Sequence, residues 1–333
     1  MDAGLACGET AGILDSAYLR QAHQRRQRLI EAATSSELDG RPTSPERLFA
    51  FLGDVPVQAS RHLFGEEHAA QLFHVLTNPG ASELGREALG LIGKAEVGGE
   101  GLLANAVILL RQGEGNTAAT RMALTLMVRK ALGPAEPALS GFLHGLQAAV
   151  QRSTSAAEDF LSTAIYKASL RARDNARALR SSVVSSLTAL KDDRADSGIH
   201  AIAALLLAGH PLTYGAAAAK LGMSRAAAVE HITRLIDLGL VEPATRRKTG
   251  QAFIARDGVL TFQPPAPPPS RSKSQEWRPS SAKLPLPIPL TQDQRARIEA
   301  VSDDVASRIE DLDRLLRRFE KSPAESPETE DQE

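Results

Sequence analysis

Ten residues between positions 224 and 248 carry side chains whose types and spacing suit the recognition of a nucleic acid. Arginine pairs with guanine, glutamate accepts a hydrogen bond from cytosine, and alanine contacts the methyl group of thymine. A serine hydroxyl at a helix N-terminus suits a phosphate. We therefore predict contacts to double-stranded DNA from ten residues. These residues are Ser224, Arg225, Ala226, Glu230, His231, Thr233, Arg234, Arg246, Arg247 and Lys248.

Local signals place the first seven of these residues on the second of two consecutive helices, with Ser224 as its N-cap. Thr213 and Ser224 are preferred N-cap residues, and they precede the helical segments Tyr214–Leu221 and Arg225–Leu238. Gly222, between the two segments, can take the positive φ of a tight turn. The second helix needs one apolar face in order to pack. The residues expected on that face are Ala228, Ile232 and Leu235.

A preceding helix, Ile199–Leu207, and two extended runs, Leu240–Ala244 and Gln251–Ala255, complete a module over residues 195–262. The order helix, helix, turn, helix and hairpin is that of a winged helix-turn-helix, and the hairpin tip is basic. The stretch LTYGAAAAKLGMSRAAAVEHITRLIDLGLVEPA resembles the second and third helices and the first wing strand of MarR-like winged-helix regulators. This resemblance implies DNA binding through the second of these helices and the wing.

The charge of the module leaves two classes of partner open. The chain has 39 Lys and Arg against 40 Asp and Glu, so no global field favours a polyanion. Residues 195–262 hold seven Lys and Arg and five Asp and Glu, a net charge of +2. The basic triplet Arg246-Arg247-Lys248 favours DNA, since a winged helix that docks a protein, the alternative, does not require it.

Sequence motifs of enzymes are absent from the chain. It contains no Walker loop and no GxSxG, HExxH, CxxC or kinase motif. The stretch around Leu38-Asp39-Gly40-Arg41 is similar to uncharacterised helix-turn-helix proteins of rhizobial-type plasmids, some of them related to Fic-associated proteins. The Fic motif HPFxxGNGR is nevertheless missing. With one cysteine, Cys7, and eight scattered histidines, we expect no enzyme activity, no metal site and no cofactor.

Residues 12–194 are predicted to form a helical domain, because Ala and Leu dominate and only 4% of the residues are aromatic. The domain ends in a long helix from Ala156 to Lys191, which contains no Gly or Pro and has a narrow apolar seam. Basic residues along this helix form either a solvated face or a ridge that faces phosphate or a partner. They are Lys167, Arg171, Arg173, Arg177 and Arg180.

The remaining segments are predicted from composition. Residues 1–11 are expected to be a disordered leader, and residues 263–290 a proline-rich linker that serves as a spacer or presents PLPIPL to a peptide-binding domain. Residues 291–320 form an amphipathic helix that docks on the helical domain or pairs with its copy in a second chain. Residues 321–333 are an acidic, disordered tail.

Together these features predict a mainly α fold with an N-terminal helical domain, a small α+β winged helix-turn-helix domain and a C-terminal helix. The start MDAGLACGET is not a secretory signal, and no apolar run approaches ~20 residues, so we expect a cytoplasmic protein without membrane contact. We expect a bacterial-type transcriptional regulator, a homodimer whose helical domain serves dimerisation or the sensing of an effector that the sequence does not identify. The alternative is a non-enzymatic scaffold or adaptor of a plasmid or mobile-element system.

Overall fold

The computed structural model describes residues 3–53, 63–98, 101–113, 117–191, 198–243 and 251–256. Over these ranges the chain is mainly α-helical with one small sheet, which confirms the predicted fold class. The helices are α1 Ala3–Ile13, α2 Ala17–Leu38, α3 Pro45–Leu52, α4 Leu63–Thr77, α5 Glu83–Gly98, α6 Leu102–Gln112, α7 Ala118–Leu132, α8 Leu146–Arg152, α9 Thr154–Ala189, α10 Gly198–Leu207, α11 Tyr214–Leu221 and α12 Arg225–Asp237.

Several predicted segments lie outside the described ranges. They are the basic residues Arg246, Arg247 and Lys248, the linker 263–290, the amphipathic helix 291–320 and the tail 321–333. The predictions made for them therefore stay predictions. Among the described helices, none is both long and apolar enough to cross a membrane.

The N-terminal helix α1 corrects the prediction of a disordered leader over residues 1–11. The helix begins at Ala3. Ala6 and Cys7 are buried, and the Cys7 thiol lies 3.4 Å from the hydroxyl of Ser169, on α9. Packing of an amphipathic face, more than intrinsic propensity, stabilises most helices in proteins. Because the packing partner of α1 lies more than 150 residues further along the chain, local composition does not reveal it.

The long helix α9 confirms the prediction made from the stretch without Gly or Pro. It begins after the N-cap residue Ser153, whose Oγ accepts the N–H of Ala156 at 3.0 Å. Its seam of Leu, Ile, Val and Ala residues is buried along the whole length of the helix.

Three of the five basic residues of α9 face acids from the N-terminal part of the chain. Arg173 and Arg177 lie 3.1 and 3.5 Å from the carboxylate of Glu9, and Arg180 lies 3.4 Å from that of Asp15. These ion pairs neutralise part of the positive charge, which favours a solvated face over a ridge that faces phosphate.

A three-stranded antiparallel sheet lies near the end of the described chain, with β3 in the centre. The strands are β1 Leu212–Thr213, β2 Val241–Pro243 and β3 Ala252–Ala255. Leu212 pairs with Phe253, and Val241 pairs with Ala255. The sequence predicts the hairpin of β2 and β3 but not β1, because a strand of two residues is too short to show the alternating pattern of a strand.

Two hydrophobic clusters stabilise the fold, and the helices α2 and α9 belong to both. Leu29 of α2 and Leu161 of α9 lie in the first cluster, which the helices of the N-terminal half build. Leu19 of α2 and Val183 of α9 lie in the second cluster, together with residues of α10, α11, α12 and the sheet. The second cluster therefore includes residues from both sides of the domain boundary predicted at residue 194.

The helix α10 is a main element through which residues 198–256 pack on the rest of the chain. All residues of Ile199–Leu207 are buried. The hydroxyl of Tyr18 donates to the carbonyl of Ala204 at 2.7 Å. Arg25 and Arg26 of α2 donate to carbonyl groups at and just beyond the C-terminal end of α10. The position of α10 relative to α2 is thus fixed by apolar burial and by directed hydrogen bonds.

Candidate nucleic-acid interface

The helices α11 and α12 are joined by the turn that the sequence predicts. Thr213 caps α11, since its hydroxyl accepts the N–H of Ala216 at 3.0 Å. Gly222 ends α11 in the left-handed conformation, with φ of 62°. The N–H of Met223 then donates to the carbonyl of Ala218 at 3.0 Å, which closes the C-terminal turn of α11. This arrangement positions the start of α12.

The inner face of α12 is the face predicted from the sequence. Ala228, Ile232 and Leu235 are each 0% exposed. At the C-terminal end, Gly239 takes a φ of 71°, and the N–H of Leu240 donates to the carbonyl of Leu235 at 3.0 Å. The orientation of α12 about its own axis is therefore fixed by this buried face.

The outer face of α12 carries most of the side chains predicted to contact DNA. Ala226, Glu230 and Thr233 are exposed and lie on one side of the helix. Arg225 and Arg234 are exposed on its two flanks. The structure thus brings Ala226, Glu230, Thr233 and Arg234 onto one side of the helix, which we call the outer face of α12, while Arg225 is exposed beside it at the N-terminal end.

Ser224 stands at the N-terminal edge of this outer face as the N-cap of α12. Its Oγ accepts the N–H of Ala227 at 3.1 Å, and the residue is exposed. The partial positive charge of a helix N-terminus attracts an anion, and the N–H groups of the first turn point outward. A phosphate oxygen is the kind of ligand that this end of the helix can accept.

His231 lies apart from the outer face. It is about 140° around the helix from Ala226, at about 100° per residue. It is half-buried, and a Cβ atom on Gly198 would lie 3.3 Å from its ring. The structure therefore places His231 beside the N-terminus of α10, away from the other predicted residues.

Sequence reasoning did not assign Val229 to this surface, although it is 38% exposed on the outer face. Its position three residues after Ala226 is the signal that would have identified it. Asp237 is also exposed there, so that two carboxylates, those of Glu230 and Asp237, lie near the centre of the face. The face can therefore accept hydrogen bonds from base amino groups and can contact a methyl group.

The sheet holds the hairpin against α11. The rings of Tyr214, on α11, and Phe253, on β3, have centroids 4.7 Å apart with planes inclined at 54°. Phe253 is fully buried. This aromatic contact fixes the base of the hairpin that β2 and β3 form.

The charge of the described part of this unit is small. Residues 198–243 and 251–256 contain four Lys and Arg and three Asp and Glu, a net charge of +1. The four cations are Lys220, Arg225, Arg234 and Arg256. The three further basic residues of the predicted module, Arg246, Arg247 and Lys248, lie outside the described ranges.

His210, just beyond the C-terminal end of α10, has a lowered pKa. Burial, together with the charges of Arg25 and Lys220, lowers the pKa of His210 to about 3. Within the described ranges, no three His, Cys, Asp or Glu side chains come together as they would to hold a metal ion.

Comparison of the chain with protein-family models finds no match, and comparison with curated proteins finds none either.

Proposed function

We propose that residues 198–256 are a winged helix-turn-helix unit and that the protein is a DNA-binding transcriptional regulator. In this proposal the outer face of α12 enters the major groove and the hairpin tip contacts the phosphate backbone. The helical domain supplies dimerisation or the sensing of an effector, and the protein works in the cytoplasm without enzyme activity.

The observation that carries the proposal is the contrast between the two faces of α12. The inner face, Ala228, Ile232 and Leu235, is fully buried, while the residues suited to base contacts are exposed. A recognition helix needs this division, because one face must dock on the supporting helices and the other must fit a groove ~12 Å wide. The order α10, β1, α11, α12, β2, β3 adds support, since it is the order of a winged helix.

The side chains of the outer face indicate which bases the helix α12 would contact in the major groove. Arg234 suits a guanine, Glu230 suits a cytosine amino group, and the methyl groups of Ala226 and Val229 suit a thymine. Glu230 and Asp237 repel phosphate, so non-specific affinity has to come from Arg246, Arg247 and Lys248. We therefore expect binding that is selective but weak unless the hairpin tip is intact.

The experiment is a measurement of affinity for duplex DNA over a series of salt concentrations. Duplexes selected from a random library by the wild-type protein serve as the specific ligand. Replacing Arg246, Arg247 and Lys248 together by Ala should weaken binding to every duplex and reduce the log–log salt slope by up to ~2.7, at ~0.9 per phosphate contact. Arg234→Ala should cost ~1–3 kcal/mol only on duplexes with the preferred guanine.

The matched control is the triple variant Arg86→Ala, Lys94→Ala, Arg152→Ala. These three cations are exposed on the helical domain, so the variant has the same net charge as the hairpin variant. If both triple variants lose the same affinity, the effect is one of overall charge and the hairpin is not an interface. If the wild-type protein selects no duplex, DNA binding itself is refuted.

One observation favours a second function, a winged helix that docks a protein in a scaffold or adaptor. Val229 and Leu238 are each 38% exposed on a helix whose outer face also carries two carboxylates. An apolar and acidic surface of this kind suits a basic protein partner. Elution from heparin separates the two functions, because a regulator should be retained until moderate salt and an adaptor should not.

A further inference from the structure

The helix α2 carries a polar stripe that faces the interior of the protein. His23, Gln27, Glu31 and Ser35 recur every four residues, and each is at most 1% exposed. A spacing of four places side chains one above the other on the same helix face. Polar groups in such a position need hydrogen-bond partners, because an unsatisfied buried donor or acceptor is strongly unfavourable.

The helix α7 supplies a matching polar stripe of Arg121, Thr125 and Arg129, also four residues apart. Arg121 Nε donates to the hydroxyl of Ser35 at 2.9 Å. The hydroxyl of Thr125 donates to the carboxylate of Glu31 at 2.7 Å. The two helices therefore run antiparallel here: one turn forward along α7, from Arg121 to Thr125, matches one turn back along α2, from Ser35 to Glu31. The next step of this antiparallel register places Arg129 opposite Gln27.

The donor groups of Gln27 and Arg129 have no hydrogen-bond acceptor in the described part of the chain. Gln27 uses its carbonyl oxygen to accept the N–H of Ala138 at 3.3 Å, and its amide nitrogen is unpaired there. The three guanidinium nitrogens of Arg129 are likewise buried without a hydrogen bond. The nearest carboxylate oxygen, on Glu136, is 3.6 Å from Arg129 Nη1.

Glu136 forms an ion pair with Arg129 that is too long for a hydrogen bond, and it also binds another arginine. Arg28 donates to both carboxylate oxygens of Glu136, at 2.9 and 3.0 Å. The second carboxylate in the region, that of Glu31, accepts four hydrogen bonds from α7 and from residues 139 and 140. The guanidinium of Arg129 is therefore buried near two carboxylates without a hydrogen bond to either.

We propose that a small anion of halide size binds between α2 and α7, where it accepts hydrogen bonds from the amide nitrogen of Gln27 and the guanidinium of Arg129. The amide nitrogen of Gln27 and the guanidinium nitrogens of Arg129 can donate hydrogen bonds but cannot accept them. A ligand that only accepts hydrogen bonds is therefore complementary to them. A water molecule would bring two donors of its own, which would need acceptors at the same place. Close packing of the surrounding side chains restricts the site to a small ion. The Arg28–Glu136 ion pair, next to Arg129, is partly exposed to solvent. This proposal is independent of DNA binding.

The experiment measures the midpoint of thermal unfolding of the full chain as gluconate is replaced by chloride at constant ionic strength. Gluconate is too large for the site. A ligand that binds only the folded state stabilises it logarithmically with concentration. Above the dissociation constant, we expect the wild-type midpoint to rise by roughly 3–6 °C for each tenfold increase in chloride.

Two variants localise the effect. Gln27→Glu keeps the oxygen that accepts from Ala138 and puts a carboxylate oxygen in place of the amide nitrogen, so it pairs with Arg129 itself and should lose the dependence on chloride. Arg129→Leu removes the donors and should lose it as well. Gln21→Glu makes the same charge change at an exposed position of α2 and should behave as the wild type.

The outcomes decide the proposal. The site is supported if Gln27→Glu loses the chloride dependence of the midpoint and Gln21→Glu retains it. If Gln27→Glu does not fold, Arg129→Leu takes its place in this comparison. A wild-type midpoint that does not change with chloride overturns it and indicates a buried water molecule. A dependence of equal size in the wild type and in the folded variants also overturns it, because the effect is then a general one of the salt.

Discussion

Replacing Glu31 should reveal how strongly the irregular segment after α7 depends on one carboxylate. Glu31 is fully buried. One of its oxygens accepts the N–H groups of Leu139 and Ser140 at 2.6 and 2.9 Å. The other oxygen accepts the hydroxyl groups of Thr125 and Ser140 at 2.7 and 2.5 Å. A single side chain thus satisfies two backbone donors that no helix or strand partner satisfies.

Two substitutions at Glu31 separate the loss of charge from the loss of the acceptor. Glu31→Gln can keep its oxygen towards the two N–H groups and turn its amide towards the hydroxyl oxygens, which also accept. It should destabilise by about 1 kcal/mol, the difference between hydrogen bonds to charged and to neutral groups. Glu31→Leu leaves two buried N–H groups without an acceptor, at ~1–3 kcal/mol each, and should destabilise by ~2–6 kcal/mol.

The assay is urea unfolding at 25 °C followed by circular dichroism, with the free energy of unfolding taken from the midpoint and slope. The control is Glu9→Gln, since Glu9 is 40% exposed and its ion pairs should contribute less than ~1 kcal/mol. Equal destabilisation by Gln and Leu at position 31 would refute the reasoning, because it would mean that charge and not the acceptor is what matters.

Three further changes test other contacts of the fold. Tyr18→Phe removes the hydrogen bond to the carbonyl of Ala204 and should lower the free energy of unfolding by ~0.5–1.5 kcal/mol in the same urea assay. Gly222→Ala, at φ of 62°, should destabilise by ~1–2 kcal/mol, whereas Gly215→Ala on α11 should not destabilise, which differential calorimetry can compare. Burial lowers the pKa of His23 from 6.5 to about 4, so the unfolded chain takes up a proton at this residue before the folded chain does. Acidification from pH 7 to 4 should therefore cost up to ~3 kcal/mol at this position, and the pH dependence of urea unfolding should be shallower in His23→Gln. An equally steep dependence in that variant would exclude His23 as its source.

The elements predicted well from the sequence are those whose signal is local. The helix α9 follows from a long stretch without Gly or Pro, and the inner face of α12 follows from the spacing of Ala228, Ile232 and Leu235. The N-caps Thr213 and Ser224 also follow from residue type, because the side-chain oxygen of such a residue satisfies an N–H of the first turn. In each case the residues that interact are at most a few positions apart.

The features that the sequence does not reveal depend on contacts between distant parts of the chain. The helix α1 and the strand β1 are stabilised by partners more than 35 residues away. From the sequence alone, the polar stripe of α2 would be assigned to a solvent-exposed face, because Gln and Glu are mostly exposed residues. Its burial becomes evident only when α7 and the segment after it are brought against α2. For the candidate interface, the same limit explains why His231 was grouped with residues of the outer face.

The burial of α10 restricts how this region can be inherited. A gene segment that encodes residues 198–256 would carry a helix whose nine residues Ile199–Leu207 are all buried, in part against α2 and α9. Transfer of that segment to another protein would expose part of this surface, at ~1.5–3 kcal/mol for each large apolar side chain left in water. Recombination near residue 195 would therefore yield two fragments that each lack part of a core. The helical domain and the helices after it are expected to have diverged together as one evolutionary unit, with substitutions in α2 and α9 matched by substitutions in α10.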